Sequence, residues 1–107
     1  MRAVEFAQYG PPDVMRVADV PEPHAGPGEI RIAVRSSGLS AGETMIRSGA
    51  MRDAVPAELP WRTGFDAAGV VDQIGDGVAG VALGDEVFGW ASMATRAANA
   101  DHVVLMA

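Results

Sequence analysis

Gly26-Pro27-Gly28-Glu29-Ile30-Arg31-Ile32-Ala33-Val34-Arg35 is the stretch that decides the fold. Ile30, Ile32 and Val34 alternate with charged or small residues, and a period of two places all three on one face of a half-buried strand. The prolines and glycines ahead of it make 21–28 a loop. Upstream, 3–6 and 15–20 read as two more strands, with the turn material Tyr9-Gly10-Pro11-Pro12-Asp13 between them, and predict a hairpin. Downstream the character changes at Ser40-Ala41-Gly42-Glu43-Thr44-Met45-Ile46-Arg47-Ser48-Gly49. Ser40 stands at an N-cap position, Glu43 follows at capping-box spacing and Gly49 supplies the stop, so one short helix is predicted. Residues 50–63 hold Pro56 and Pro60 and show little periodicity, which predicts a long surface loop anchored by Trp61. Strands are predicted at 67–74 and 81–88, joined by the glycine-rich 75–80, and a last one at 101–106. Six or seven short strands with one helix make a mainly β domain, a small partly open barrel or sandwich.

Composition removes several kinds of chemistry. The chain has 107 residues, 49% of them hydrophobic, enough for one core and too apolar for disorder despite a formal charge of -6. No apolar run approaches the about 18 residues that span a bilayer, and Met1-Arg2-Ala3-Val4-Glu5 puts an acid where a signal peptide needs apolar residues. The expectation is a soluble, cytoplasmic protein without membrane contact. With no cysteine there is no disulfide, thiolate nucleophile, thiolate zinc site or iron-sulfur cluster. All eight basic residues are arginine, scattered and outnumbered by fourteen acids, which argues against nucleic-acid binding. The absence of lysine excludes a Schiff base and a P-loop lysine. His24 and His102 have no metal-ligand spacing and read as structural or exposed.

Six pieces of punctuation, taken in order, carry a family resemblance: Gly26-Pro27-Gly28-Glu29-Ile30; Ser37-Gly38-Leu39-Ser40; Ile46-Arg47-Ser48-Gly49; Thr63-Gly64-Phe65-Asp66-Ala67-Ala68-Gly69-Val70-Val71; Gly75-Asp76-Gly77-Val78; and Gly84-Asp85-Glu86-Val87-Phe88-Gly89. Together they resemble the amino-terminal GroES-like domain of medium-chain dehydrogenases/reductases, in particular the zinc-independent quinone oxidoreductase branch. The resemblance spans essentially residues 1–107 and is strongest from Gly26 to Gly89. It implies a GroES-like, partly open β-barrel with one or two short helices as the single domain, 1–107. The glycines have physical reasons of their own. Gly64 and Gly69 flank a strand where a side chain would block close approach, Gly75, Gly77 and Gly84 suit turns with positive φ, and Asp85 can hold the last turn by accepting backbone hydrogen bonds.

What the resemblance implies about chemistry falls on a few positions. Zinc-dependent relatives carry cysteine, histidine and glutamate where this sequence has Ser40, Phe65 and Asp66. Phenylalanine cannot ligate zinc, neutral serine is a poor ligand, and one carboxylate falls short of the three protein ligands of a catalytic zinc, so no metal is expected. Reduction then relies on hydride from a nicotinamide and on donors aimed at the developing oxyanion. Ser40 matches the position where quinone reductases commonly carry an asparagine near the nicotinamide, and it is the first catalytic candidate; helix capping is its structural alternative. Glu43 matches an aspartate of the same pattern and is the second, with the capping box as alternative. The positions implied to face the cofactor are Ser40, Arg47 and Asp66, with a structural ion pair as the other reading of Arg47. Phe65 and Trp90 are implied as apolar walls of a pocket for a flat quinone or enone. Met51 falls near where several relatives place a pocket tyrosine.

The implied cofactor is NADPH, held in relatives against a doubly wound Rossmann domain that follows this one. Gly75-Asp76-Gly77-Val78-Ala79-Gly80 fits a dinucleotide fingerprint by spacing alone, but it joins two apparent strands and is rejected as a phosphate loop. The expectation is therefore the substrate-side domain of a homodimeric, NADPH-dependent, zinc-independent quinone or enone oxidoreductase, inactive as these 107 residues alone. The alternative is a stand-alone GroES-like binding or oligomerisation module without catalysis.

Overall fold

In the computed structural model, residues 1–91 and 97–107 are described. Among them the elements run in the order β1 (Arg2–Phe6), β2 (Met15–Asp19), β3 (Glu29–Ser37), α1 (Ala41–Ser48), β4 (Trp61–Arg62), β5 (Asp66–Ile74), β6 (Glu86–Trp90) and β7 (His102–Met106), with a 3-10 turn at Pro12–Val14. The alternation around Ile30 and Ile32 does what the period-two rule requires: both are buried, and β3 lies between β5 and β7 in an antiparallel sheet of order β6-β5-β3-β7. Their core face is completed by Ala67, Val71, Val103 and Leu105, with Ala91 and Ala98 from the connections.

The predicted hairpin forms, with β1 and β2 in register from Arg2 opposite Asp19 to Phe6 opposite Met15. It belongs to a second sheet of order β2-β1-β4. Glu5 is buried in the middle strand and sits opposite Arg16 on one side and Arg62 on the other; Arg16 reaches its carboxylate at 3.1 Å. A buried carboxylate needs such a partner. The two sheets are stitched by an isolated bridge between Ala3 and Ala100 and by Val4 N–H donating to Asn99 O at 2.9 Å. They do not close into a barrel, so the domain is mainly β and partly open, as its punctuation implies.

The helix starts and stops where its caps predict. Ser40 is extended and its Oγ accepts from Gly42 N–H, while Gly49 takes the left-handed conformation at φ 84°. Ile46 packs into a small core with Phe6 and Trp61, and that is how Trp61 anchors the loop before it.

Three expectations need correction. The strand predicted at 81–88 is instead β6, Glu86–Trp90, because Gly84 and Asp85 form a turn inside the apolar run: Ala82 N–H donates to Asp85 Oδ2 at 2.9 Å. The loop at 50–63 ends in a two-residue strand, β4, paired with β1. Gly75 does not adopt positive φ; it is needed because a Cβ there would run into the Gly26 carbonyl. No helix of the described residues is long and apolar enough to cross a membrane.

Candidate active-site hollow

The first turns of α1 project Ser40, Glu43, Thr44 and Arg47 onto one helix face, as spacings of three and four dictate. These four side chains line a hollow of about 250 Å³ whose apolar surfaces are Phe6, Met15 and Leu39, with Thr63 and Asn99 completing the polar side. An apolar cavity with a few convergent polar groups is the usual form of a small-molecule site.

Ser40 has a divided role. Its Oγ accepts from Gly42 N–H at 3.2 Å, so the hydroxyl proton is left to donate to a guest. Capping and ligand donation are thus compatible in one side chain. Glu43 sits in the first turn of α1, where the helix dipole favours an anion. Both of its carboxylate oxygens lie 3.0 Å from the Gly64 amide nitrogen, so the side chain docks the helix onto the chain that follows β4. Arg47, in the last turn, donates from Nε to the Gly10 carbonyl at 3.2 Å, and Gly10 N–H returns a bond to Arg47 O at 2.9 Å.

The remaining site candidates lie elsewhere. Asp66 and Trp90 line a separate groove of about 260 Å³ on the outer face of the larger sheet, with Ser36, Ala68 and Phe88. Trp90 is 84% exposed. The Asp66 carboxylate lies against Gly38, two residues from Ser40. Phe65 is half-buried against the cluster of Phe6, Ile46 and Trp61. Met51 is half-buried in the turn after α1, where its carbonyl accepts from Val55 N–H, and it lines neither cavity. A larger groove, about 420 Å³, runs over the same outer face between Arg35, Val70, Glu86 and Phe88. Size alone favours it, but polar groups converge in the hollow at α1, and convergence is what orients a reacting ligand.

Sequence reasoning missed Thr63 and Asn99. Thr63 had a signal, since it opens the Thr63-Gly64-Phe65 run. Asn99 had none in its local pattern, because its side-chain partners lie 36 and 62 residues away. Gly64 is the hinge of this wall. It takes φ 100°, a Cβ there would strike the Asn99 amide nitrogen, and its carbonyl accepts from Ala97 N–H at 3.0 Å and Ala98 N–H at 3.2 Å.

Two open β-sheets with a capped helix over a polar-mouthed hollow define a GroES-like domain. The chain belongs to the alcohol dehydrogenase GroES-like domain family, which it matches over residues 26–104. Within that family it is the amino-terminal domain of the quinone oxidoreductase branch of the medium-chain dehydrogenase/reductase superfamily. It is 36% identical to a quinone oxidoreductase of Rattus norvegicus over 110 residues, covering 95% of this chain and 33% of the relative. Its fold superposes on the crystal structure of the human synaptic vesicle membrane protein VAT-1 homolog-like protein with TM-score 0.90 and 31% identity, over 99% of this chain and 33% of that one. The Escherichia coli quinone oxidoreductase complexed with NADPH gives TM-score 0.87 and 27% identity, over 99% and 31%. The chain thus spans about a third of the length of the curated relatives it matches.

Proposed function

We propose that these residues form one domain, 1–107, the substrate side of a zinc-independent, NADPH-dependent oxidoreductase that reduces a quinone or an α,β-unsaturated ketone. The observation that carries the reading is the convergence of the Ser40 hydroxyl, Glu43 and Arg47 on one apolar-walled hollow, in a domain whose relatives are named quinone oxidoreductases. The reduced nicotinamide, when bound, supplies a hydride. The work left to this chain is to hold a flat acceptor against Phe6, Met15 and Leu39 and to donate from Ser40 Oγ to the oxygen on which charge develops. A proton from solvent completes the reduction. Glu43 acts at one remove, fixing the wall through Gly64.

The residues fit one side of that cofactor only. The 75–80 turn joins β5 to β6, which pair antiparallel, so the element that follows it is a strand and not a helix, and it cannot cradle a pyrophosphate. The reading therefore assigns the dinucleotide to a second, doubly wound domain, and no turnover to residues 1–107 alone. A zinc-free site is supported by the chemistry of its positions: Ser40 offers a hydroxyl, Phe65 a half-buried hydrocarbon packed against the smaller core, and Asp66 one carboxylate in a different groove. A cytoplasmic, homodimeric parent belongs to the same reading.

Fusing the dinucleotide-binding remainder of a quinone oxidoreductase behind Ala107 tests it. NADPH-dependent reduction of 1,4-benzoquinone is expected, with Ser40→Ala lowering kcat/KM by about tenfold or more. A fusion that binds NADPH but shows no loss on Ser40→Ala would count against Ser40 as the donor.

A further inference from the structure

Asn99 is the chain's only asparagine, and it stands in the wall of the hollow. Its hydrogen bonds have a fixed polarity. The Val4 carbonyl can only accept, so Thr63 Oγ, 3.2 Å away, donates to it. Thr63 Oγ is then an acceptor towards Asn99, and the group facing it at 2.9 Å is Nδ2. The other end of the carboxamide is therefore Oδ1, which accepts from Ser37 Oγ at 2.6 Å. Protons run one way along Ser37, Asn99, Thr63 and the Val4 carbonyl. The backbone of Asn99 is equally tied, with its N–H on Thr63 O at 3.1 Å and its carbonyl taking Val4 N–H at 2.9 Å. A side chain gripped in this way cannot flip.

One group is left over. A carboxamide has two N–H donors; Thr63 takes one, and the second has no protein partner among the described residues. Asn99 is only partly buried and lines the hollow, and the donor left over belongs to that lining side chain. A donor in the lining of a cavity, on a side chain already held by its other bonds, is the kind of group that stabilises negative charge on oxygen without reorganising.

We infer that Asn99 is a substrate-binding residue: its second Nδ2–H donates to the carbonyl oxygen of a quinone or enone in the hollow, beside the Ser40 hydroxyl. The inference rests on reading the hollow as the substrate site, and its test separates the two. A single asparagine gives a single side-chain Asn NH2 pair in a 15N–1H spectrum, alongside those of Gln8 and Gln73. The 107-residue chain is titrated with cyclohex-2-enone and, separately, with cyclohexene, which keeps the ring and double bond and lacks the oxygen. The chain has no lysine or cysteine for the enone to alkylate.

The expected result is a saturable shift of the Asn99 pair with the enone and none with cyclohexene, together with shifts of the Ser40, Thr44 and Gly64 amides. If the enone moves those backbone amides and leaves the Asn99 pair in place, the hollow binds substrate and Asn99 is not its donor. Equal movement of the pair with both probes also overturns the assignment, since the oxygen is then irrelevant. If neither the backbone amides nor the pair move, the substrate reading fails and the donor fails with it. Asn99→Asp, which sets an acceptor against the accepting Thr63 Oγ and removes the free donor, is expected to weaken enone binding about tenfold or more. Wild-type affinity in a folded Asn99→Asp variant overturns the assignment, and should that variant not fold, the wild-type titration decides alone.

Discussion

Gly64 carries two demands at once, a left-handed backbone at φ 100° and a close approach of the Asn99 backbone nitrogen that leaves no room for a Cβ, and it also presents the N–H that both Glu43 oxygens share. Any Cβ breaks the first two and disturbs the third. Gly64→Ala is expected to cost about 2–3 kcal/mol, read from the shift in urea midpoint. A second residue reports on acid sensitivity. Asp101 accepts the Arg2 backbone N–H at 2.8 Å, and this bond, helped by the nearby Arg2 guanidinium, lowers its pKa from the ordinary 3.8. A lowered carboxyl pKa contributes stability above the ordinary value and loses it as pH falls through the lowered one. Asp101→Asn should therefore be less stable than the wild type at pH 7, and the gap should close in strong acid. Urea titrations at the two pH values check this, and a gap that is constant with pH contradicts it.

At the scale of elements, β6 is the strand whose reading and structure diverge most. Its alternation turns Val87 towards the core while Phe88 and Trp90 stand 89% and 84% exposed, on the face away from Leu105. β6 pairs with β5 alone at the sheet edge, and its outer apolar face is uncovered in this chain. Phe88→Ser is accordingly expected to change stability by less than about 0.5 kcal/mol, whereas a buried phenylalanine such as Phe6 loses about 3–5 kcal/mol on truncation to alanine. Equal destabilisation at the two sites would show that the β6 face is buried in solution. Two elements were legible for local reasons. β3 announced itself by alternation and α1 by Ser40 and Gly49. β4 did not, since two residues hold no period, and it exists only because Glu5 and Phe6 pair with it across the molecule.

For the whole molecule the same division holds. Ser40, Glu43 and Arg47 were singled out one by one through the family resemblance, and the structure gathers them on one helix face, because spacings of three and four along a helix are local. Thr63 and Asn99 reach the same hollow through pairing between distant segments, which the order of residues does not display. Asp66 and Trp90 sit on the outer sheet face, because β5 and β6 alternate and their outward positions cannot also look into the hollow at α1. The molecule therefore offers two candidate surfaces for a flat ligand, and the account rests on one of them. Backbone amide shifts during a titration of the 107-residue chain with 1,4-benzoquinone decide between the two. The account predicts saturable shifts gathered on Ser40, Glu43, Thr44, Arg47 and Thr63. Shifts gathered instead on Ala68, Phe88 and Trp90 would contradict it.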